Sequence, residues 1–303
     1  MKIVVSGSTG LIGSALVPRL VGQGHHVVAL IRRRMAPGER ALAWDPEAGK
    51  IDRAGLEGSD VVIHLAGENV FGRWSPAKKQ RIRNSRVNGT RLISDTLAGL
   101  TRRPSVLLAA SAIGYYGDRG VEAVAEGSTP GDDFLAHVAR EWEAATASSS
   151  KAGIRVQNLR FGVVLTPKSG ALAKMLPAFR VGLGGPVGSG TQYLSWIALD
   201  DAISAILHVL AIADLPGPVN ITAPTPVTNR EFAKTLGKVL GRPAVVTVPA
   251  FALRMAFGTE AAAMLLSGQR ALPARLLESG FRFRYDTLEP ALRHLLAAPE
   301  GAR

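Results

Sequence analysis

Gly7, Gly10 and Gly13 recur at every third position, with Ser8 and Thr9 inside the first interval and Leu11 and Ile12 inside the second. Glycines so spaced let backbone N–H groups approach a pyrophosphate at the positive end of a helix, where any Cβ would hold it off. Ser8 and Thr9 add hydroxyl donors. A bare loop of small residues has the same spelling, so the flanks matter: Ile3, Val4 and Val5 form a β-branched run before the glycines, and Leu16, Val17, Leu20 and Val21 follow at helical spacing. A strand runs into a glycine turn that opens a helix.

Two further groups of residues have chemistry to offer. Arg32 ends the second apolar run, about 20 positions past the glycines, where an acid would accept from a ribose 2′-hydroxyl and an arginine meets a 2′-phosphate instead. With Arg33 or Arg34 behind it, Arg32 points to NADP(H); the alternative is a basic loop in a basic protein. Ser111, Tyr115 and Tyr116 lie at and beyond the carboxyl end of the apolar run Val106–Ser111, where ligands meet such sheets. Either a tyrosine serves as proton donor while Ser111 orients a substrate oxygen, or the rings pack between sheet and loop. Glu68 and Asn69, just past Gly67, are placed for polar contacts with substrate. His64 reads as a structural core histidine, and none of the six histidines has metal-ligand spacing with another, so no metal is expected.

The elements that must position these groups follow from periodicity. His26–Ile31 is almost wholly apolar, as a strand buried on both faces of a parallel sheet should be. Pro18 falls inside the first helix and removes one donor there, with a kink or a bond lost to solvent as the expected result. Asp60–Gly67 reads as a strand, Arg81–Leu97 as a long helix, Asp133–Ala147 as a helix carrying Trp142 and Glu143, and Ile154–Leu165 as a strand containing Arg160. A glycine- and proline-rich stretch from Pro167 to Gly190 reads as ligand-shaping. Asp200 is expected to cap a helix over Asp201–Ala213, Pro218–Thr222 returns to the sheet, and Thr228 caps the next helix.

Composition narrows the class. The chain has 303 residues and no cysteine, which excludes disulfides, thiolate catalysis and cysteine-ligated metal together. Met1-Lys2 passes directly into a core strand and no apolar run reaches the ~18 residues of a membrane span, so a cytoplasmic protein with no membrane partner is expected. A net charge of +12 raises nucleic acid as a partner. Its two clusters, Arg32–Arg34 and Lys78, Lys79, Arg81, Arg83 and Arg86, lack interleaved aromatics for base stacking, so no nucleic-acid partner is expected.

In the order Gly7-x-x-Gly10-x-x-Gly13, His64-Leu65-Ala66-Gly67, Val87-Asn88-Gly89-Thr90, Ser111 to Gly117 and Trp196-Ile197-x-x-Asp200-Asp201, the chain resembles the short-chain dehydrogenase/reductase superfamily in its extended form. With Gly67-Glu68-Asn69, Arg73-Trp74, Ser85-Arg86, Leu183-Gly184-Gly185-Pro186 and Leu266-Ser267-Gly268-Gln269-Arg270, it is similar over its whole length to the atypical "epimerase family protein" oxidoreductases. The resemblance implies an α/β fold: a Rossmann-type doubly wound parallel sheet over 1–165 and 191–223, with a smaller C-terminal α/β substrate domain over 166–190 and 224–303. It implies NADP(H) as cofactor, Arg32 at the 2′-phosphate, Leu65 and Ala66 along the adenosine, and Arg81, Arg86 and Val163 near the cofactor. Gln192, Tyr193 and Trp196 resemble the segment that faces substrate; Met175, Phe179, Phe251 and Met255 are either an apolar wall there or core. A homodimer is compatible with the family.

One departure bears on chemistry. Working members carry a Tyr-x-x-x-Lys pair on the helix after the serine strand, and here that helix begins Phe134-Leu135-Ala136-His137-Val138-Ala139. The expected function is an NADP(H)-binding, epimerase-like oxidoreductase acting on a small carbonyl or hydroxyl substrate. The alternative is a catalytically silent NADP(H)-binding sensor or scaffold.

Overall fold

A computed structural model describes residues 1–32 and 41–297. Arg33 and Arg34, the arginines expected behind Arg32, lie outside the described residues. The first half lays down β1 (Lys2–Ser6), α1 (Gly13–Gly22), β2 (His26–Ile31), β3 (Ala41–Asp45), β4 (Lys50–Ile51), α2 (Arg53–Leu56), β5 (Val61–His64), α3 (Pro76–Ala98) and β6 (Val106–Ala112). After a 3-10 turn over Ile113–Tyr116 come β7 (Ala123–Val124), α4 (Phe134–Ala144), α5 (Ala147–Lys151), β8 (Arg155–Phe161), β9 (Val163–Leu165) and α6 (Gly170–Arg180). The remainder is β10 (Tyr193–Leu194), β11 (Trp196–Ala198), α7 (Leu199–Ala211), β12 (Val219–Ile221), β13 (Val227–Thr228), α8 (Asn229–Leu240), α9 (Ala250–Phe257), α10 (Thr259–Leu266), β14 (Arg270–Ala271), α11 (Ala274–Glu278) and α12 (Leu288–Leu296).

Eight strands form one sheet in the order β12-β8-β6-β5-β1-β2-β3-β4, parallel throughout except for the β3–β4 edge. Strand order reverses beside β1, which pairs with β2 on one side and β5 on the other. That crevice is where doubly wound sheets bind ligands. Alternation explains why these strands look uniformly apolar: Ile3, Val5, Ile63 and Leu108 pack on one face with Leu16 and Leu20 of α1, while Val4, Val28, Val62 and Leu107 pack on the other with Ile93 and Leu97 of α3. A third core joins Leu172, Leu176 and Phe179 of α6 to Trp196, Phe232, Leu236, Leu288 and Leu292.

Several expected boundaries move. α3 begins at Pro76 rather than Arg81, because Ser75 caps it by accepting from the Lys78 N–H at 3.2 Å and Pro76 at the first position needs no donor. The strand expected over Ile154–Leu165 breaks at Gly162, whose missing Cβ would lie 2.5 Å from the Ser195 carbonyl oxygen; beyond it β9 leaves the sheet to pair with β11. Asp200 is not a cap, since α7 starts from Ala198; Asp201 instead accepts from the N–H groups of Arg284 and Tyr285, both at 2.9 Å, tying the C-terminal segment down. α1 runs through Pro18 unbroken, and Thr228 makes a full capping box with Glu231. Trp196 and Ala198 face the third core while Ile197, α7 and β12 pack on the first, as do Leu276 and Phe281 from the C-terminal region.

Candidate cofactor and active site

The glycine turn leads from β1 to α1 at the switch point. Gly7 has φ 70°, and a Cβ there would lie 2.8 Å from the Ala66 nitrogen; a Cβ on Gly13 would meet the Gly7 carbonyl oxygen at 2.2 Å. Only glycine fits this closely folded backbone. Thr9 and Gly10 are exposed at its tip, Ser8 is half-buried, and Leu11 reaches toward Gly170. Ile12 precedes α1 without a side-chain cap, and in the first turn the Ser14 N–H donates to the Gly10 carbonyl at 2.9 Å and the Ala15 N–H to the Ile12 carbonyl at 3.1 Å.

Beneath the turn, Ser6 Oγ and His64 Nδ1 lie 2.5 Å apart on paired strands. His64 is fully buried with Trp44 edge-on, and burial pushes its pKa down to about 4, which leaves it neutral. This is the structural role expected of it. No group of residues able to hold a metal ion is found among the described residues.

Arg32 and Arg81 come together in a cleft of about 410 Å³ with Pro46, Glu47, Glu68 and one stripe of α3. That stripe, Ala77, Gln80, Arg81, Asn84, Ser85 and Asn88, keeps a strict three-four spacing, so one helical face lines the cleft. Gln80, Asn84 and Asn88 went unassigned in the sequence although the spacing was there to find, because a polar stripe on a helix ordinarily faces water. Arg86 points elsewhere. Its guanidinium donates to the carbonyls of Glu68 at 2.9 Å and Ile82 at 3.2 Å and lies 5.0 Å from the Trp142 ring, and burial lowers its pKa to about 10 against the opposing charge of Glu68. It clamps the backbone after Gly67 from below. The rest of the basic cluster is also partnered: Lys78 with Glu68, Lys79 with Glu260 and Arg83 with Glu141.

The substrate-side expectations divide. Glu68 lines the Arg32 cleft, with its carboxylate on Lys78. Asn69 folds back locally, Oδ1 accepting from the Phe71 N–H at 2.9 Å. Trp196 is wholly buried and its Nε1–H donates to the Thr225 carbonyl at 3.0 Å, so it is core and not a substrate contact. Gln192 gives its amide hydrogens to the carbonyls of Val187 and Leu265, at 3.0 and 3.1 Å, fastening the C-terminal region together. Val163 is half-buried, its N–H donating to Ser195 at 2.8 Å. Phe179 is core, whereas Phe251 and Met255 are exposed on α9. A larger groove of about 720 Å³ between α1, α7 and Arg282–Arg284 is lined by none of the candidate residues.

At the end of β6 the side chains of Ser111, Tyr115 and Tyr116 meet one buried ion pair. Arg160 donates from Nε and Nη2 to the two Glu143 carboxylate oxygens, at 2.7 and 2.8 Å, and this carboxylate and the Tyr116 oxygen raise its pKa against the cost of burial. Ser111 donates to Glu143 Oε1 at 2.7 Å, so its proton is already given to the protein. Tyr116 is fully buried; its hydroxyl donates to Asn220 Oδ1 at 2.8 Å and accepts from Arg160 Nη1 at 3.0 Å, and burial raises its pKa. The packing alternative therefore holds for Tyr116. Tyr115 is half-buried, with the Arg160 guanidinium 3.5 Å from its ring centre.

A family model described as NAD dependent epimerase/dehydratase matches residues 3–222, and a domain of unknown function, DUF1731, matches 248–295. The chain belongs to the NAD dependent epimerase/dehydratase family. It is 42% identical over 298 residues to an epimerase family protein of Mycobacterium bovis, covering 98% of both chains, and 40% identical to epimerase family protein YfhF of Bacillus subtilis, again with 98% of each covered. The crystal structure of human epimerase family protein SDR39U1 with NADPH superposes with a TM-score of 0.88 at 34% identity, covering 97% of this chain and 99% of that one. Like that relative, the chain has the Rossmann-type sheet on which the glycine turn and the Arg32 cleft are built. No helix among the described residues is long and apolar enough to cross a membrane.

Proposed function

We propose that this epimerase-family chain binds NADP(H) across the switch point and acts as an oxidoreductase on a small carbonyl or hydroxyl substrate. The observation that carries it is a glycine cradle with no room for a Cβ beside a cleft where Arg32 and Arg81 converge. The cradle suits a pyrophosphate and the two cations suit a 2′-phosphate. That a human relative was crystallised with NADPH supports the assignment. Bound there, the cofactor supplies or accepts a hydride. In this reading Leu65, Ala66 and Val163 flank the cofactor, Arg86 fixes the backbone under it, and Ser111 steadies the Glu143–Arg160 pair. Tyr115 is the hydroxyl assigned to proton transfer, and the C-terminal region covers the substrate. The proposal includes a cytoplasmic setting and no nucleic-acid partner.

A second reading, a cofactor-dependent sensor without turnover, is favoured by one observation: Ser111 and Tyr116 spend their hydroxyls inside the protein. Titrating cofactor-stripped protein with NADPH and NADH by nicotinamide fluorescence tests the common ground. NADPH is expected to bind more tightly, and Arg32→Ala to weaken it about tenfold or more while sparing NADH, as loss of a charge-assisted bond requires. Failure to bind either nucleotide overturns both readings. Steady hydride consumption across carbonyl and nucleotide-sugar panels then selects the oxidoreductase, and tight binding without it the sensor.

A further inference from the structure

The cleft that gathers Arg32 and Arg81 also holds a carboxylate fixed in place. The Glu68 N–H donates to Ser85 Oγ at 3.0 Å and its carbonyl accepts from Arg86 Nη1 at 2.9 Å, so α3 grips the residue's backbone on both sides. Its carboxylate pairs with Lys78, whose side chain is only 15% exposed. The hydrogen bond from Lys78 holds the Glu68 carboxyl below its ordinary range against burial, and the charges of Lys78, Arg81 and Arg32 add to that. Glu68 is therefore a fixed anion beside Arg32 and Arg81, the cations that would meet a 2′-phosphate, with its carboxylate anchored on Lys78.

We propose that Glu68 is a specificity-determining residue that restrains the preference for 2′-phosphorylated cofactor. This rests on the NADP(H) reading above. The carboxylate repels an incoming phosphate dianion, an effect confined to ligands carrying the 2′-phosphate. An adenosine without that group passes the same wall at little cost. Glu68 offsets part of the charge of Arg32 and Arg81 in the free protein, and a 2′-phosphate binds more weakly than those two cations unopposed would hold it.

The test uses the full chain and two probes, adenosine 2′,5′-bisphosphate and 5′-AMP, titrated calorimetrically into wild type, Glu68→Gln and Lys78→Met. Glu68→Gln keeps the backbone contacts and the side-chain shape. It is expected to tighten the bisphosphate about fivefold, with the gain shrinking as salt rises, and to leave 5′-AMP within about twofold. Lys78→Met leaves the carboxylate uncompensated and is expected to weaken the bisphosphate selectively, a second readout should Glu68→Gln fold poorly. Equal changes for both probes, or no change in the bisphosphate, overturn the proposal while leaving the cofactor reading intact. A wild type that binds neither probe removes the cofactor reading and this inference together.

Discussion

Tyr115 and Tyr116 are neighbours in the chain with opposite fates, although the 3-10 turn leaves their rings edge to face with centroids 5.5 Å apart. One ring lies on the Arg160 guanidinium at the surface of the buried network; the other is sunk in it. Tyr116→Phe leaves Asn220 Oδ1 and Arg160 Nη1 short of a partner in a dry site and is expected to cost about 1–3 kcal/mol in urea denaturation. Tyr115→Phe keeps its ring on Arg160 and is expected to unfold within about 0.5 kcal/mol of wild type. If the chain transfers hydride, Tyr115→Phe lowers kcat by about 10²–10⁴, the loss of a general acid. A Tyr116→Phe protein as stable as wild type would sink the network account.

At the scale of elements, the turn between β1 and α1 is tightly constrained backbone. Gly13→Ala drives a Cβ into the Gly7 carbonyl, so the turn and the start of α1 must separate. NADPH affinity is expected to fall about tenfold or more while far-UV circular dichroism is retained, since the strands of the sheet are held by many contacts besides the turn. Gly22→Ala, at the far end of the same helix with open space around it, is the control and is expected to bind normally. The elements were largely legible because each leaves a local trace: β-branched runs for β1 and β5, and Thr228 with Glu231 for α8. The start of α3 was legible too, in Ser75-Pro76, but hydrophobic periodicity begins only at Ile82 and drew the expected start inward. The break at Gly162 left no such trace, since it exists to let the distant Ser195 backbone approach.

For the whole molecule, His64 links protonation to global stability, because it lies on a central strand that water reaches only on unfolding. Its pKa is about 4 when folded and near 6.5 when free. The unfolded chain thus binds more protons between those values. The stability is fully present above about pH 6.5 and is lost as pH falls toward 4, by a total of order 3 kcal/mol. Urea titrations across that window should show the slope, and His64→Asn should flatten it; an unchanged slope would mean that other groups set the acid limit. Across the fold Lys78, Lys79 and Arg83 each find a carboxylate, so three cations of the basic run seen in the sequence are paired.

By itself the sequence determined the strand–glycine–helix entry, the parallel sheet, the place of Arg32 at a strand end and the absence of the usual tyrosine–lysine pair. These are properties of short stretches, set by steric limits on φ and ψ and by the period of apolar residues. Only the tertiary structure decided which polar groups are free. Tyr116 meets Asn220 across 104 positions, Ser111 meets Glu143 across 32, and Trp196 turns into a core shared with Leu172, Phe232 and Leu288 from distant parts of the chain. A buried polar group must find a partner wherever the fold brings one, and that partner leaves no mark on the residues around it.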